Sequence, residues 1–177
     1  MGNRVIAAVA LGSNLGDRAA HLNHAVSRLR DLLRGLRVSR FYDTIPVGAP
    51  GPQALFLNAA AIGEAAMPAR DLLTRLLAIE EERGRERPYP NAPRSLDLDL
   101  ILFGDATIDE PGLVVPHPRF RERRFVLEPL TEIDPGLLPW RDCADLRQDV
   151  TVADLLATVA QQEVERVGDA SWADRIQ

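Results

Sequence analysis

The segment Arg94-Ser95-Leu96-Asp97-Leu98-Asp99-Leu100-Ile101-Leu102-Phe103 constrains the fold more than any other part of the chain. It is short, apolar and bounded by Pro93 and by Gly104-Asp105, which is the pattern of a strand. Residues two apart on a strand share a face. Leu96, Leu98, Leu100 and Leu102 therefore predict a core face, with Asp97 and Asp99 side by side on the other. Two neighbouring carboxylates are solvated acids on an edge strand, acids paired with arginine, or ligands of a shared cation. Mg²⁺ is held in the last way, by one or two carboxylates completed by water and substrate phosphates. The strand alone leaves all three readings open.

The other elements are predicted around this strand. Residues 4–11 read as a buried strand, and Gly12-Ser13-Asn14-Leu15-Gly16-Asp17 as a turn that opens a helix capped by Asp17. The helix reaches about Arg34, with Leu22, Ala25, Val26, Leu29 and Leu33 on one face. Strands follow near 36–43 and around Phe56–Ile62, separated by a Pro/Gly-rich loop from Thr44 to Leu55. A second helix spans 68–83 and an irregular loop covers 84–94. After the aspartate strand come a short strand near 106–108, a loop over 110–124 and a short strand at Phe125-Val126-Leu127. A last helix runs from Thr151 to about Gln162, with Thr151 and Asp154 as a capping pair. The order β-α-β-β-α-β predicts an α+β, ferredoxin-like sandwich with additional strands and a C-terminal helix. One domain is expected over residues 1–162, with a polar tail at 163–177 that frays.

Composition removes several functions. All 21 basic residues are arginine, so Schiff-base chemistry, a P-loop lysine and a kinase strand lysine are excluded. The net charge of −5 argues against nonspecific binding to nucleic acid or to anionic membrane. A single cysteine, Cys143, excludes an intrachain disulfide and a multi-cysteine metal site. No run approaches the length of a membrane span, and the first residues do not form a secretory pattern. A soluble, cytoplasmic protein is expected.

Several side chains stand out against this frame. Glu80 falls on the stripe Ala69, Leu73, Leu76, Leu77 of the second helix, and a carboxylate there needs a partner, whether arginine, water at the helix end or a ligand. Arg83, Arg85, Arg87 and Arg94 bracket one loop and Arg119, Arg121, Arg123 and Arg124 fill another. Each alone reads as surface charge. Together with the acid pair they suggest Mg²⁺ and a polyphosphate, since the guanidinium fork matches two phosphate oxygens. Phe56 and Asn58 alternate onto one strand face and suit a flat heterocycle, or else a core ring and a turn amide. His117 is pinned between Pro116 and Pro118, and His21 and His24 read as surface residues rather than a metal pair.

Taken in order, Ala10-Leu11-Gly12-Ser13-Asn14-Leu15-Gly16-Asp17, Phe41-Tyr42-Asp43-Thr44, Phe56-Leu57-Asn58-Ala59-Ala60, Ala92-Pro93-Arg94-Ser95-Leu96-Asp97-Leu98-Asp99-Leu100, Val115-Pro116-His117-Pro118 and Phe125-Val126-Leu127-Glu128-Pro129-Leu130 resemble the 6-hydroxymethyl-7,8-dihydropterin pyrophosphokinases of folate biosynthesis. The resemblance covers residues 4–140. It implies transfer of diphosphate from ATP to the hydroxymethyl group of the pterin, with release of AMP. It implies two Mg²⁺ ions on Asp97 and Asp99, and Arg85 and Arg94 gripping the phosphates as catalytic residues. Glu80, Leu100, His117 and Arg123 complete the implied nucleotide side. Phe56 and Phe125 would sandwich the pterin ring, with Asn58 and the backbone near Thr44 and Val47 reading its edge. The loops 44–55 and 84–94 match loops that close over the substrates in that family. ATP and the pterin are the implied partners of a monomer, without nucleic acid or membrane.

The chain departs from the family before Ala92-Pro93-Arg94, where a charged residue and a tryptophan are usual. Pro90 and Asn91 stand there instead, and any stacking is lost or falls to Tyr89. Three rivals predict something different. A ferredoxin-like nucleic-acid module needs a basic face, a Mg²⁺ phosphohydrolase needs no pterin pocket, and a non-catalytic relative releases no AMP.

Overall fold

The strand β1 (Val5–Ser13) is the spine of the sheet. It pairs antiparallel with β4 (Phe56–Ala65) on one side and with β5 (Asp97–Phe103) on the other. Beyond β4 lie β2 (Leu33–Val38) and β3 (Tyr42–Thr44), each pairing with a different stretch of it. A last strand, β8 (Val164–Arg166), pairs with β3 and extends the sheet to six strands in the order β5-β1-β4-β3-β8, with β2 also on β4. Two short strands, β6 (Ile108–Glu110) and β7 (Leu113–Val115), form a separate hairpin. The computed structural model describes residues 4–45, 54–84, 92–137 and 150–167. The architecture is the expected α+β, ferredoxin-like one. Among the described residues no helix is long and apolar enough to cross a membrane.

Two helices cover one face. Asp17 caps α1 (Arg18–Leu32), its carboxylate accepting from Ala20 N at 3.0 Å. Leu22, Ala25, Val26 and Leu29 of α1, with Leu72, Leu76 and Ile79 of α2 (Ala69–Glu81), pack on Val9, Leu11, Leu57, Ala59, Leu98 and Leu100. The buried stripe of α2 is turned one residue from the predicted one, through Leu72 and Ile79 rather than Leu73 and Leu77. The opposite face carries α3 (Arg124–Ile133) and α4 (Val152–Thr158), which cover Ala8, Ala60, Ile62, Ile101 and Leu102. Thr151 and Asp154 form the predicted capping box of α4.

Three expectations are corrected. Phe125-Val126-Leu127 is the first turn of α3, not a strand. Val126, Leu127 and Leu130 are all buried, the spacing of a helix face, but Pro129 has no N–H to return to the preceding turn and so disguised the helix. The leucine alternation of β5 also breaks. The register with β1 shifts between Ala8 and Val9, and Leu102 joins Ile101 on the α3 side while Leu98 and Leu100 stay on the α1–α2 side. The polar tail expected from residue 163 begins instead with β8.

Glu80 is 1% exposed and stands beside the edge strand β5, where it accepts from the backbone N–H of Leu98 at 2.6 Å. An edge strand has one row of backbone groups without a strand partner, and here a helix side chain meets one of them. Glu80→Ala would leave that buried N–H without its acceptor, which costs about 1–3 kcal/mol. We expect urea unfolding to show a loss of that size for Glu80→Ala and a smaller one for Glu80→Gln, which keeps a carbonyl oxygen in place. Equal midpoints for Glu80→Ala and the parent chain would contradict this.

Candidate active site

The site is built on the part of the α3 face that the helices leave partly open. Its floor follows from register. Gly12 of β1 lies opposite Asn58 on β4 and opposite Asp97 on β5, so Asn58, Gly12 and Asp97 form one row across three strands. Ala60, Ala10 and Asp99 form the next row. The central strand thus contributes only small residues. A Cβ at Gly12 would stand 3.3 Å from Asn58 Oδ1, 3.8 Å from Phe56 Cδ1 and 4.0 Å from the Asp97 Cβ, so it would crowd the Asn58 amide oxygen and merely touch the other two.

Asn58 is buried and donates through Nδ2 to Thr44 Oγ1 at 2.7 Å. Thr44 lies opposite Phe56 and Tyr42 opposite Asn58, so β3 and β4 present both polar groups together. Beneath them the Tyr42 hydroxyl donates to Glu132 of α3 at 2.6 Å, and burial with this carboxylate pushes the phenol well above the usual tyrosine range. That bond ties α3 to β3.

The charges converge at the other end of the row. Arg94 Nη1 lies 3.0 Å from Asp97, and its guanidinium sits 5.9 Å from the centroid of the Phe56 ring. Arg94 Nε is buried, with no hydrogen-bond partner among the described residues. Arg123 Nη1 lies 4.0 Å from Asp99, with its guanidinium 5.5 Å from the centroid of Phe125. Asp97 and Asp99 remain 19% and 35% exposed. The acids therefore lie on an edge strand and are paired with arginine, two of the readings that the strand left open.

His117 stands near Arg123 and Arg119. Burial, then Arg123 and Arg119, push its imidazole down to about 4. The Arg119 N–H donates to Nδ1 at 3.2 Å, which favours the neutral tautomer with the proton on Nε2. Burial and Arg119 also draw Arg123 below the usual arginine range.

Of the residues singled out from the sequence, Asp97, Asp99, Arg94, Arg123, Phe56, Phe125, Asn58, Thr44 and His117 come together here. Arg85 and Val47 lie outside the described residues. Glu80 is engaged on Leu98 N, and the Leu100 side chain is buried in the α1–α2 core. Arg119 stays beside His117, whereas two other arginines are engaged elsewhere. Arg83 donates to His21 and Arg124 pairs with Glu128. His24 and Arg28 both hold Glu82, so the two histidines serve the junction of α1 and α2.

One residue was missed as part of the site. Asn14 Oδ1 accepts from Arg94 N at 2.9 Å while Asn14 N donates to Arg94 O at 3.1 Å, a reciprocal clamp that fixes Arg94 above β1. Arg18 of α1, on the other face of the sheet, bridges Asp43 at 2.6 Å and the Leu55 carbonyl at 2.9 Å and so ties α1 to β3. The Gly-Ser-Asn run signalled a turn, and a long-range clamp leaves no further trace in spacing.

Comparison with known proteins identifies relatives of this chain. A family model described as 7,8-dihydro-6-hydroxymethylpterin-pyrophosphokinase matches residues 8–135. The 2-amino-4-hydroxy-6-hydroxymethyldihydropteridine pyrophosphokinase of Bacillus subtilis is 45% identical over 130 residues, covering 72% of this chain and 77% of that protein. Its counterpart from Pseudomonas aeruginosa is 41% identical over 131 residues, with 73% and 80% covered. The structure of a Plasmodium falciparum HPPK-DHPS triple mutant is similar over 90% of this chain with a TM-score of 0.67. That likeness is at 14% identity and spans 44% of the longer chain, so it concerns the fold. On the family match and these sequence relatives, the chain belongs to the 7,8-dihydro-6-hydroxymethylpterin-pyrophosphokinase family.

Proposed function

We propose that the open end of the sheet binds 6-hydroxymethyl-7,8-dihydropterin between Phe56 and Phe125 and ATP over Asp97 and Asp99, so that the diphosphate passes between them. The observation that supports this most is the single row Asn58–Gly12–Asp97. It sets the Asn58 amide and the Asp97 carboxylate on the two strands that flank β1 with no side chain between, which suits a heterocycle and a phosphate chain bound side by side. One N–H of Asn58 Nδ2 is donated to Thr44, which leaves the amide oxygen and the second N–H for the pterin edge. Val47, three residues after Thr44 and outside the described residues, is proposed for the same edge. The hydroxymethyl oxygen attacks the β-phosphorus, its proton passes to water, and the bond to the oxygen bridging the α and β phosphates breaks to release AMP.

The acid pair fits two Mg²⁺ ions. Two carboxylates are hard oxygen donors, and among the described residues no cluster of three acid, histidine or cysteine ligands exists. Most of the coordination would therefore fall to ATP oxygens and water, the usual manner for Mg²⁺. Held there by Asp97 and Asp99, the ions would supply charge neutralisation to the phosphates. Arg94, clamped by Asn14 and carrying a buried unbonded Nε, donates to the phosphates. Arg85 joins it, and Arg123 and neutral His117 line the nucleotide side. Glu80 and Leu100 act on that side from below, by holding the backbone of β5 that carries both aspartates. The setting we infer is the cytoplasm, with small molecules as partners.

The test is AMP formation from ATP with and without the hydroxymethyl-dihydropterin. We expect AMP only when the pterin is present. AMP release without it would favour a phosphohydrolase, and none in either case a binding protein. Asp97→Asn and Asp99→Asn keep the shape but lose the charge, and each should lower the rate at least ~10²-fold. Near-normal turnover in both across a Mg²⁺ titration would contradict the metal assignment.

His117 gives a prediction in pH. Its folded value of about 4 lies below its ordinary 6.5, so between these pH values the unfolded chain holds the extra proton. Stability then rises with pH across that window and is lost as pH falls through it. We expect His117→Gln to lose less stability than the parent chain on acidification from pH 6.5 to 4 in urea titrations. Parallel curves for the two proteins would contradict the assignment.

A further inference from the structure

The chain continues past residue 135, where the family match ends, and returns to the site. Its α4 packs on α3, and a turn then leads into β8. At that turn the Gln162 side chain makes two hydrogen bonds. Nε2 donates to the carbonyl of Glu122 at 2.6 Å, and Oε1 accepts from the backbone N–H of Arg124 at 2.9 Å. These groups lie on either side of Arg123. One amide thus grips the backbone before and after the arginine that faces Asp99 and Phe125.

The local structure needs such a grip. Arg123 joins a 3-10 turn, Phe120–Glu122, to α3 and is extended, with φ −119° and ψ 98°. Helices are commonly capped there by a Ser, Thr, Asp or Asn side chain that accepts a first-turn N–H. Arginine has no acceptor, and α3 has no side-chain cap of its own. Gln162 supplies the acceptor from elsewhere in the chain. The same turn holds Arg124, whose Nη1 donates to the carbonyls of Ala160 and Gln162 at 2.7 and 2.8 Å. Arg124 is thereby drawn toward the C-terminal segment while Arg123 is left to the site.

We infer that Gln162 is a positioning residue for the reaction, acting through Arg123. This rests on the nucleotide-side role proposed for Arg123 above. A double-mutant cycle tests it, with turnover read as AMP formed at varied ATP and pterin. Gln162→Met keeps length and volume but removes both hydrogen bonds. It should lower kcat/KM about tenfold, the scale of losing hydrogen bonds that hold a group in place. In an Arg123→Ala background the same change should have no further effect, because the group it positions is gone. Gln162→Glu, which keeps an acceptor for Arg124 N but sets a carboxylate against the Glu122 carbonyl, should behave like Gln162→Met. It carries the cycle if the methionine variant does not fold. The same fold loss in both backgrounds would overturn the inference, since Gln162 would then serve the fold at large. So would normal turnover in both Gln162 variants when Arg123→Ala is impaired. If Arg123→Ala itself turns over normally, the role proposed for Arg123 is wrong and the inference falls with it.

Discussion

Everything at the open end of the sheet depends on the double pairing of β1. In an antiparallel sheet, slipping a strand by one residue turns all its side chains to the opposite face. Here β1 is held by β4 on one side and β5 on the other, so Gly12 meets Asn58 and Asp97 at once. The helices lock this register. Val9 and Leu11 are buried under α1 and α2, and Ala8 under α3, so a slip would set the wrong faces against both layers. The site therefore inherits its alignment from the core rather than from its own weak contacts.

The second consequence is electrostatic. Two aspartates two residues apart repel, and Arg94 and Arg123 stand against them from different parts of the chain. Neither arginine is held only by its acid. Asn14 clamps the backbone of Arg94, and Gln162 brackets that of Arg123. Cations whose backbones are held independently can keep their places when a phosphate or metal competes for the carboxylates. Preorganised charge of this kind needs little rearrangement as charge shifts during reaction. The low imidazole value of His117 belongs to the same field, since burial and two arginines leave it neutral among charges.

What was legible in the sequence follows from the range of the physics. Asp97 and Asp99 were readable because strand alternation is local, and the Phe56–Asn58 face for the same reason. Asp17 and Thr151 were readable as caps because capping acts within a turn of helix. Phe125 was assigned to the site, but its element was misread. Three apolar residues before a proline fit a strand as well as a helix, and packing on Ala60 and Ile62 decides between them. The shift at Ala8/Val9 that turns Leu102 inward depends on the partner strand and leaves no mark in β5 itself. Asn14, Arg18 and Gln162 act across long stretches of chain, so no spacing rule could find them.

The claim that one glycine keeps the pterin-reading amide and the phosphate-side carboxylate in a single open row is tested most directly by Gly12→Ala. A methyl there would press on Asn58 Oδ1 from 3.3 Å while the backbone of β1 accepts alanine without strain. Calorimetry of pterin binding, beside a urea unfolding curve, reads the site and the fold separately. The account predicts pterin affinity lowered about tenfold, the scale of one displaced hydrogen bond, with the unfolding midpoint nearly unchanged. Pterin bound by Gly12→Ala as tightly as by the parent chain would contradict it.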